Sequence, residues 1–315
     1  MSPLLLDPRV RADLGQSVMV DEPAGAGVLI QTMSNRDEIS RRVNLSELFI
    51  SGHFGEIERL LHANPGRIPE VAPLLQSPES DSVCSLLQVV GRVGFDYPQE
   101  VFPILPVIAA LLDHPDPYVR GDAAYAFGTA VFTYREPAAA AVPLLRVLLD
   151  DDLIQARADA ARALGNIGFY HPELARAAVP RLLAMLDDGN DEEREAAAHA
   201  LGKIGANSPE LLPEIFPRLV RELEKTHEAS CSGILLAFGS VGQHFPELVR
   251  KHIPKLLKFL RSENPDTVRY AVLALGNLAT ANSALVRDAR PELERLAKST
   301  DLELSANAQM ALSLL

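Results

Sequence analysis

Little in this sequence is suited to cross-linking, membrane insertion or phosphate binding. Its only two cysteines, Cys84 and Cys231, lie far apart in apolar surroundings. That is neither a disulfide framework nor a zinc-binding spacing, so they read as two reduced thiols. No apolar run approaches the eighteen or so residues of a membrane span, and the first residues, MSPLLLDPRV, lack the basic start and long apolar core of a signal peptide. The expected location is cytoplasmic. Basic residues are in deficit, with Lys and Arg numbering 30 against 42 Asp and Glu, for a net charge of -12. A protein that grips a phosphate backbone needs a cationic footprint, so this balance argues against nucleic acid as the main ligand. Tryptophan is absent and aromatics make up only 5% of the chain. There is no glycine-rich phosphate loop, no HExxH and no CxxC. No catalytic residue, metal ligand or cofactor site emerges.

What the sequence does have is repetition. Glycines stand at Gly91, Gly128, Gly165, Gly202, Gly239 and Gly276, a constant step of 37 residues. Prolines keep the same step at Pro69, Pro106, Pro143, Pro180, Pro217, Pro254 and Pro291. A leucine-rich column runs Val71, Ile108, Leu145, Leu182, Leu219, Leu256 and Leu293, and an alanine column runs Ala126, Ala163, Ala200, Ala237, Ala274 and Ala311. A fixed period of this length marks a solenoid, in which each unit buries its apolar face on its neighbours. Seven units fill residues 65–315.

Each unit reads as two helices. In residues 173–205, Val179, Leu182, Leu183 and Leu186 recur at helical spacing. The polar turn DDGND follows, and then a second helix through Ala197, Ala200, Leu201 and Ile204. A glycine inside a helix costs about 1 kcal/mol, so a repeated one needs a packing reason. The column prolines are expected to bend the first helices. The links HPEL, SPEL and FPEL place a proline at a helix start, with Ser208 as an N-cap in the middle one.

The stretches LPVIAALLDHPDPYVRGDAAYAFG (105–128) and VPLLRVLLDDDLIQARADAARALGNIG (142–168) resemble the HEAT-repeat family. The shared features are a first-helix proline, an aspartate near that helix's end, and a Val-Arg pair opening the second helix. Asp113 with Arg120, Asp150 with Arg157, and Asp187 with Arg194 match them. The resemblance implies a hydrogen-bonded ladder between neighbouring units. Glu224 and Cys231 depart from the pattern in the fifth unit, and Arg269 is shifted by one residue in the sixth. The ladder is therefore expected only as far as the fourth unit.

The predicted fold is all-α: a right-handed α–α superhelix of about seven helical hairpins. Residues 1–33 form a flexible tail, and 34–64 a degenerate N-terminal cap of two helices, around Ile39–Ile50 and Phe54–Leu61. The last unit acts as a C-terminal cap, with Gln309 and Ser313 in place of small residues; the alternative is a homodimer docked through that edge. At roughly 8–10 Å per helix layer, the array offers a long curved surface without a deep pocket.

The resemblance further implies that second helices line a concave face on which partners bind. The candidates there are Asp122, Tyr125, Asp159, Arg162, Asn166, His199, Lys203, Leu236, Tyr270, Leu273 and Asn277, polar in the first half of the array and more apolar in the second. A non-enzymatic scaffold that holds a protein or peptide follows. Two alternatives stand beside it. One is a HEAT-like lyase or accessory enzyme acting on a cofactor; iron-binding relatives use repeated His-Glu pairs, of which only His227-Glu228 is present. The other is an acidic partner, a nucleic acid or a membrane surface held by the basic stretch 249–261, through Arg250, Lys251, Lys255, Lys258 and Arg261.

Overall fold

A computed structural model describes residues 43–131, 133–225 and 231–315. The expected tail, the first residues of the expected cap and the His227-Glu228 pair lie outside the described residues. The chain is a helical solenoid, with no strand among the described residues. Two helices, Leu45–Ile50 and Phe54–Ala63, precede the first unit. The inner helices of the seven units are α1 (Ser80–Asp96), α2 (Pro117–Ala130), α3 (Ile154–Tyr170), α4 (Asp191–Ala206), α5 (Ser232–His244), α6 (Pro265–Asn282) and α7 (Leu302–Ser313).

The glycine and alanine columns explain how the inner helices stack. A β-carbon added to Gly128 would meet the Cα of Ala163 at 2.7 Å, and one added to Gly165 the Cα of Ala200 at 2.6 Å. Gly202 and Gly239 face Ala237 and Ala274 in the same way. Each glycine lets the next helix approach backbone to backbone. The offset between partners never changes, so α2 to α6 run parallel and in register. Gly91 departs from this pattern: the ring of Tyr125 covers it.

The outer arms obey the column prolines. In units 2, 4 and 6 a short 3-10 turn ends just before helices Leu105–Ala110, Val179–Asp188 and Ile253–Lys258, and the proline is the second residue of each. Proline has no N–H to give and its ring crowds the preceding turn, so the helix restarts there. In units 3 and 5 the helices Arg135–Leu148 and Leu212–Lys225 run through Pro143 and Pro217. Pro172 and Pro246 open helices as expected. Ser208 does not cap one. Residues 209–211 form turns and the helix begins at Leu212, beside Pro213, while Ser208 itself is buried.

Two ladders tie the units together. On the inner side, Arg120 donates from Nη1 to the carbonyls of His114 and Pro115, filling carbonyls at the end of its own outer arm. From Nε it reaches Asp151 of the next unit at 2.7 Å. Arg157 repeats this with the Asp151 and Asp152 carbonyls and with Glu193 at 2.6 Å. Arg194 bonds the Gly189 carbonyl and stands 3.4 Å from Glu222. In the fifth unit Cys231 supplies a neutral rung, its sulfur 3.2 Å from the Thr267 hydroxyl. The shifted Arg269 pairs with Asp301 at 2.6 Å.

The second ladder runs along the outer arms: Arg181 to Asp150 at 2.6 Å, Arg218 to Asp187 at 3.4 Å, Lys255 to Glu224 at 3.3 Å, and Arg261 to Glu292 at 3.3 Å. The last rung has reversed polarity. Cross-linking thus continues to the seventh unit, beyond the fourth where it was expected to stop. Its acids are also not the expected ones. Asp150 and Asp187 serve the following unit's outer arm, and the inner arginines Arg120, Arg157 and Arg194 take Asp151, Glu193 and Glu222 instead. The outer-arm pairs are partly exposed, with Arg261 itself 77% open to solvent, so a double-mutant cycle on Arg261 and Glu292 is expected to give a coupling below about 1 kcal/mol in urea melts. A coupling well above that would mean the terminal rung holds the last unit in place.

In the last unit Gln309 is exposed, and its amide bonds Ala297 O and Ser305 Oγ within its own unit.

Candidate peptide-binding groove

The parallel inner helices leave a groove of about 400 Å³ on their exposed face, spanning α1 to α6. The expected surface without a deep pocket is therefore a defined cleft. Nine of the eleven residues predicted from the columns line it: Asp122, Tyr125, Asp159, Arg162, Asn166, His199, Lys203, Leu236 and Tyr270. They meet because residues one helical turn apart share a face, and a period of 37 residues puts equivalent positions of successive units side by side.

The other two fall elsewhere. Leu273 is 2% exposed and belongs to the core. Asn277 lies beside Gly239 and is not part of the groove wall. The apolar second half thus reduces to Leu236 and Tyr270. Several lining residues escaped the column reading. Gln88 and Arg92 are the first-unit members of the Tyr125 and Thr129 columns, one period earlier. Gln155 and Glu192 lie a further turn toward the helix N-termini, and Glu195 and Ser232 directly precede Ala196 and Gly233.

The polar side chains brace one another. Asn166 donates from Nδ2 to the Gly128 carbonyl at 3.0 Å and accepts at Oδ1 from Lys203 Nζ at 2.6 Å. It is a bracket that positions Lys203. Arg162 Nη1 donates to Asp159 Oδ1 at 2.9 Å. Gln88 donates to Asp122 at 3.3 Å, and Arg92 makes a two-pronged pair with Glu58. Asp122 and Asp159 are 5% and 6% exposed. Burial raises the Asp122 carboxyl above its ordinary range, against the hydrogen bonds of Cys84 and Gln88. Burial also lifts Asp159 to about 6; nearby Asp122 and Glu192 add to the rise, and Arg162 opposes it. Burial, then the Asp122 carboxylate, pushes the Cys84 thiol up to about 12, far from a reactive thiolate.

The basic stretch 249–261 is not one helical face. It breaks into short α and 3-10 segments around Pro254. Lys255 and Arg261 are rungs of the outer ladder, and Arg250 pairs with Glu247 at 2.7 Å. Lys251 and Lys258 are exposed and make no ion pair among the described residues. Among the described residues, no group of three or more His, Cys, Asp or Glu side chains is placed to hold a metal ion. No helix among them is long and apolar enough to cross a membrane.

Family models agree with the stacking. The sequence matches the HEAT repeat family at residues 104–202 and 143–226, and the armadillo/beta-catenin-like repeat at 242–280. No curated protein matches. Among solved structures, an engineered protein is 22% identical with a TM-score of 0.49, over 82% of this chain and 70% of its own. A designed armadillo repeat protein in complex with the peptide (KR)4 is 22% identical with a TM-score of 0.40, over 78% of this chain and 98% of its own. The matched segments take in units 2 to 4, the outer arm of unit 5 and most of unit 6, and so most of the inner helices that stack glycine on alanine, and the chain belongs to the HEAT/armadillo-like repeat proteins.

Proposed function

We propose that this chain is a non-enzymatic scaffold or adaptor that holds a protein or peptide segment in the groove of α1 to α6, acting in the cytoplasm. The observation that carries this reading is the groove itself. It is continuous across six units, and side chains that the stacking does not require line it. Tyr125 and Arg162 line it on α2 and α3, and aromatic and arginine side chains are frequent anchors at interfaces. The ligand would be gripped by many modest contacts, with Tyr125, Arg162, His199 and Lys203 at the centre. Two free thiols agree with a reducing compartment.

The test is selection of binders from a random peptide library on the immobilised protein, with a Tyr125→Ala/Arg162→Glu variant as the counter-target. Peptides are expected to be enriched on the wild-type protein and to lose about tenfold or more in affinity on the variant. Enriched peptides that bind both proteins equally would move the binding surface away from the groove.

A further inference from the structure

Asp122 and Asp159 occupy a column in which the next two units carry Ala196 and Gly233. Stacking the units therefore needs no carboxylate at that position. Burying one is costly. Both are the sixth residue of their helices, beyond the first turn where the helix dipole would favour a negative charge. Something other than folding accounts for them, and both line the groove.

The sign of the charge changes across the groove. Because the inner helices run parallel and in register, their N-terminal halves form one long side of it. That side carries Asp122, Asp159, Glu192 and Glu195. The opposite side, built from the C-terminal ends of α1 and α4, carries Lys203, held by Asn166, and Arg92, which is paired with Glu58. Arg162 lies between and pairs back onto Asp159. Asp159 and Asn166, the residue that brackets Lys203, are two turns apart on α3. At about 1.5 Å per residue, the two sides are separated by roughly 10 Å. An extended chain laid along the array would point successive side chains to opposite sides, because its side-chain period is two.

We infer that the groove takes an extended peptide segment whose alternate side chains carry opposite charge, its cations facing Asp122, Asp159 and Glu192 and its carboxylates facing Lys203 and exchanging with Glu58 at Arg92. This rests on the groove reading above and specifies its ligand. A uniformly basic segment would set half of its cations on the side of Lys203, where the groove lining among the described residues offers no carboxylate beyond the Glu58 that Arg92 holds. A uniformly acidic one, or a phosphate backbone, would face the buried aspartates.

Four fluorescein-labelled peptides of equal length test this by anisotropy at low salt: alternating Lys-Glu, all Lys, all Glu, and a block of Lys followed by a block of Glu. The alternating peptide is expected to bind at least about tenfold more tightly than the block peptide of the same composition. Asp122→Ala and Asp159→Ala, which introduce the residue Ala196 already places in this column, are expected to erase most of that preference. Lys203→Glu is expected to shift preference toward the all-Lys peptide. Equal binding of block and alternating peptides, or tighter binding of all Lys to the wild-type protein, overturns the inference. So does binding of none of the four. If library-selected peptides still depend on Tyr125 and Arg162 in that case, the groove reading survives; if they do not, both fall.

Discussion

Gly165→Ala is expected to destabilise the protein by about 2 kcal/mol, even though alanine is the better helix former. Alanine gains about 1 kcal/mol over glycine inside a helix. Against this stands a new β-carbon 2.6 Å from Ala200 Cα and 2.9 Å from Ala200 Cβ. The obstacle is backbone, so no rotamer change relieves it. α3 and α4 must move apart, and overpacking of this kind typically costs about 1–3 kcal/mol or more. Gly55→Ala is the control. It lies in the helix Phe54–Ala63 and nothing stands within 4 Å of the added carbon, so it is expected to be neutral or to stabilise by about 0.5 kcal/mol. Urea unfolding midpoints of the two variants decide the matter. If both shift upward, the glycine column reflects something other than close helix approach.

Asp159→Ala is expected to stabilise the protein at pH 7.5 and to lose that advantage in acid. The Asp159 carboxyl rises from an ordinary 3.8 to about 6 in the folded chain, chiefly through burial. Between those values the unfolded chain gives up a proton that the folded chain keeps. Stability therefore falls as pH rises from about 4 to 6, and above 6 the full cost is present. At about 1.4 kcal/mol per pH unit, this amounts to roughly 3 kcal/mol. Part of the gain in the variant is offset because Arg162 loses its partner, though that side chain is a quarter exposed and can turn to water. The groups nearest the carboxyl, Arg162, Asp122 and Glu192, are common to both proteins. Urea midpoints at pH 7.5 and 4.5 are the measurement. A difference that stays constant with pH would show that Asp159 ionises normally in the folded state.

The stacking was legible in the sequence because it repeats. A column of glycines one period apart, answered by a column of alanines, has one economical explanation, and the Gly128–Ala163 and Gly165–Ala200 contacts bear it out. The faces of the inner helices were legible for the same reason, so Tyr125, Arg162 and Lys203 could be grouped before any coordinates. Burial was less legible, since it depends on how closely the neighbouring helices approach. Leu273 reads as outward by position, yet it is covered as α6 packs between α5 and α7. The rungs were expected between neighbouring units, and they are there, but with other acids than Asp113, Asp150 and Asp187 on the inner arginines. The 37-residue period relates equivalent positions, but does not say which acid lies within reach of which arginine. Arg92 and Glu192 were missed because the columns were not followed back one period, or one turn further toward the helix starts.

The reversed rung between Arg261 and Glu292 has a consequence for assembly. Arrays of near-identical units are prone to mispair during folding, with one unit docking on the wrong neighbour. If the seventh unit settled on the third, fourth or fifth, Glu292 would meet Asp150, Asp187 or Glu224. If the fourth or fifth unit settled on the sixth, Arg181 or Arg218 would meet Arg261. Each error sets like charge against like, whereas the native order opposes unlike charges at all four rungs. A single inverted pair thus sets the terminal unit apart from its siblings by charge, and each wrong pairing forgoes a favourable contact for a like-charge one.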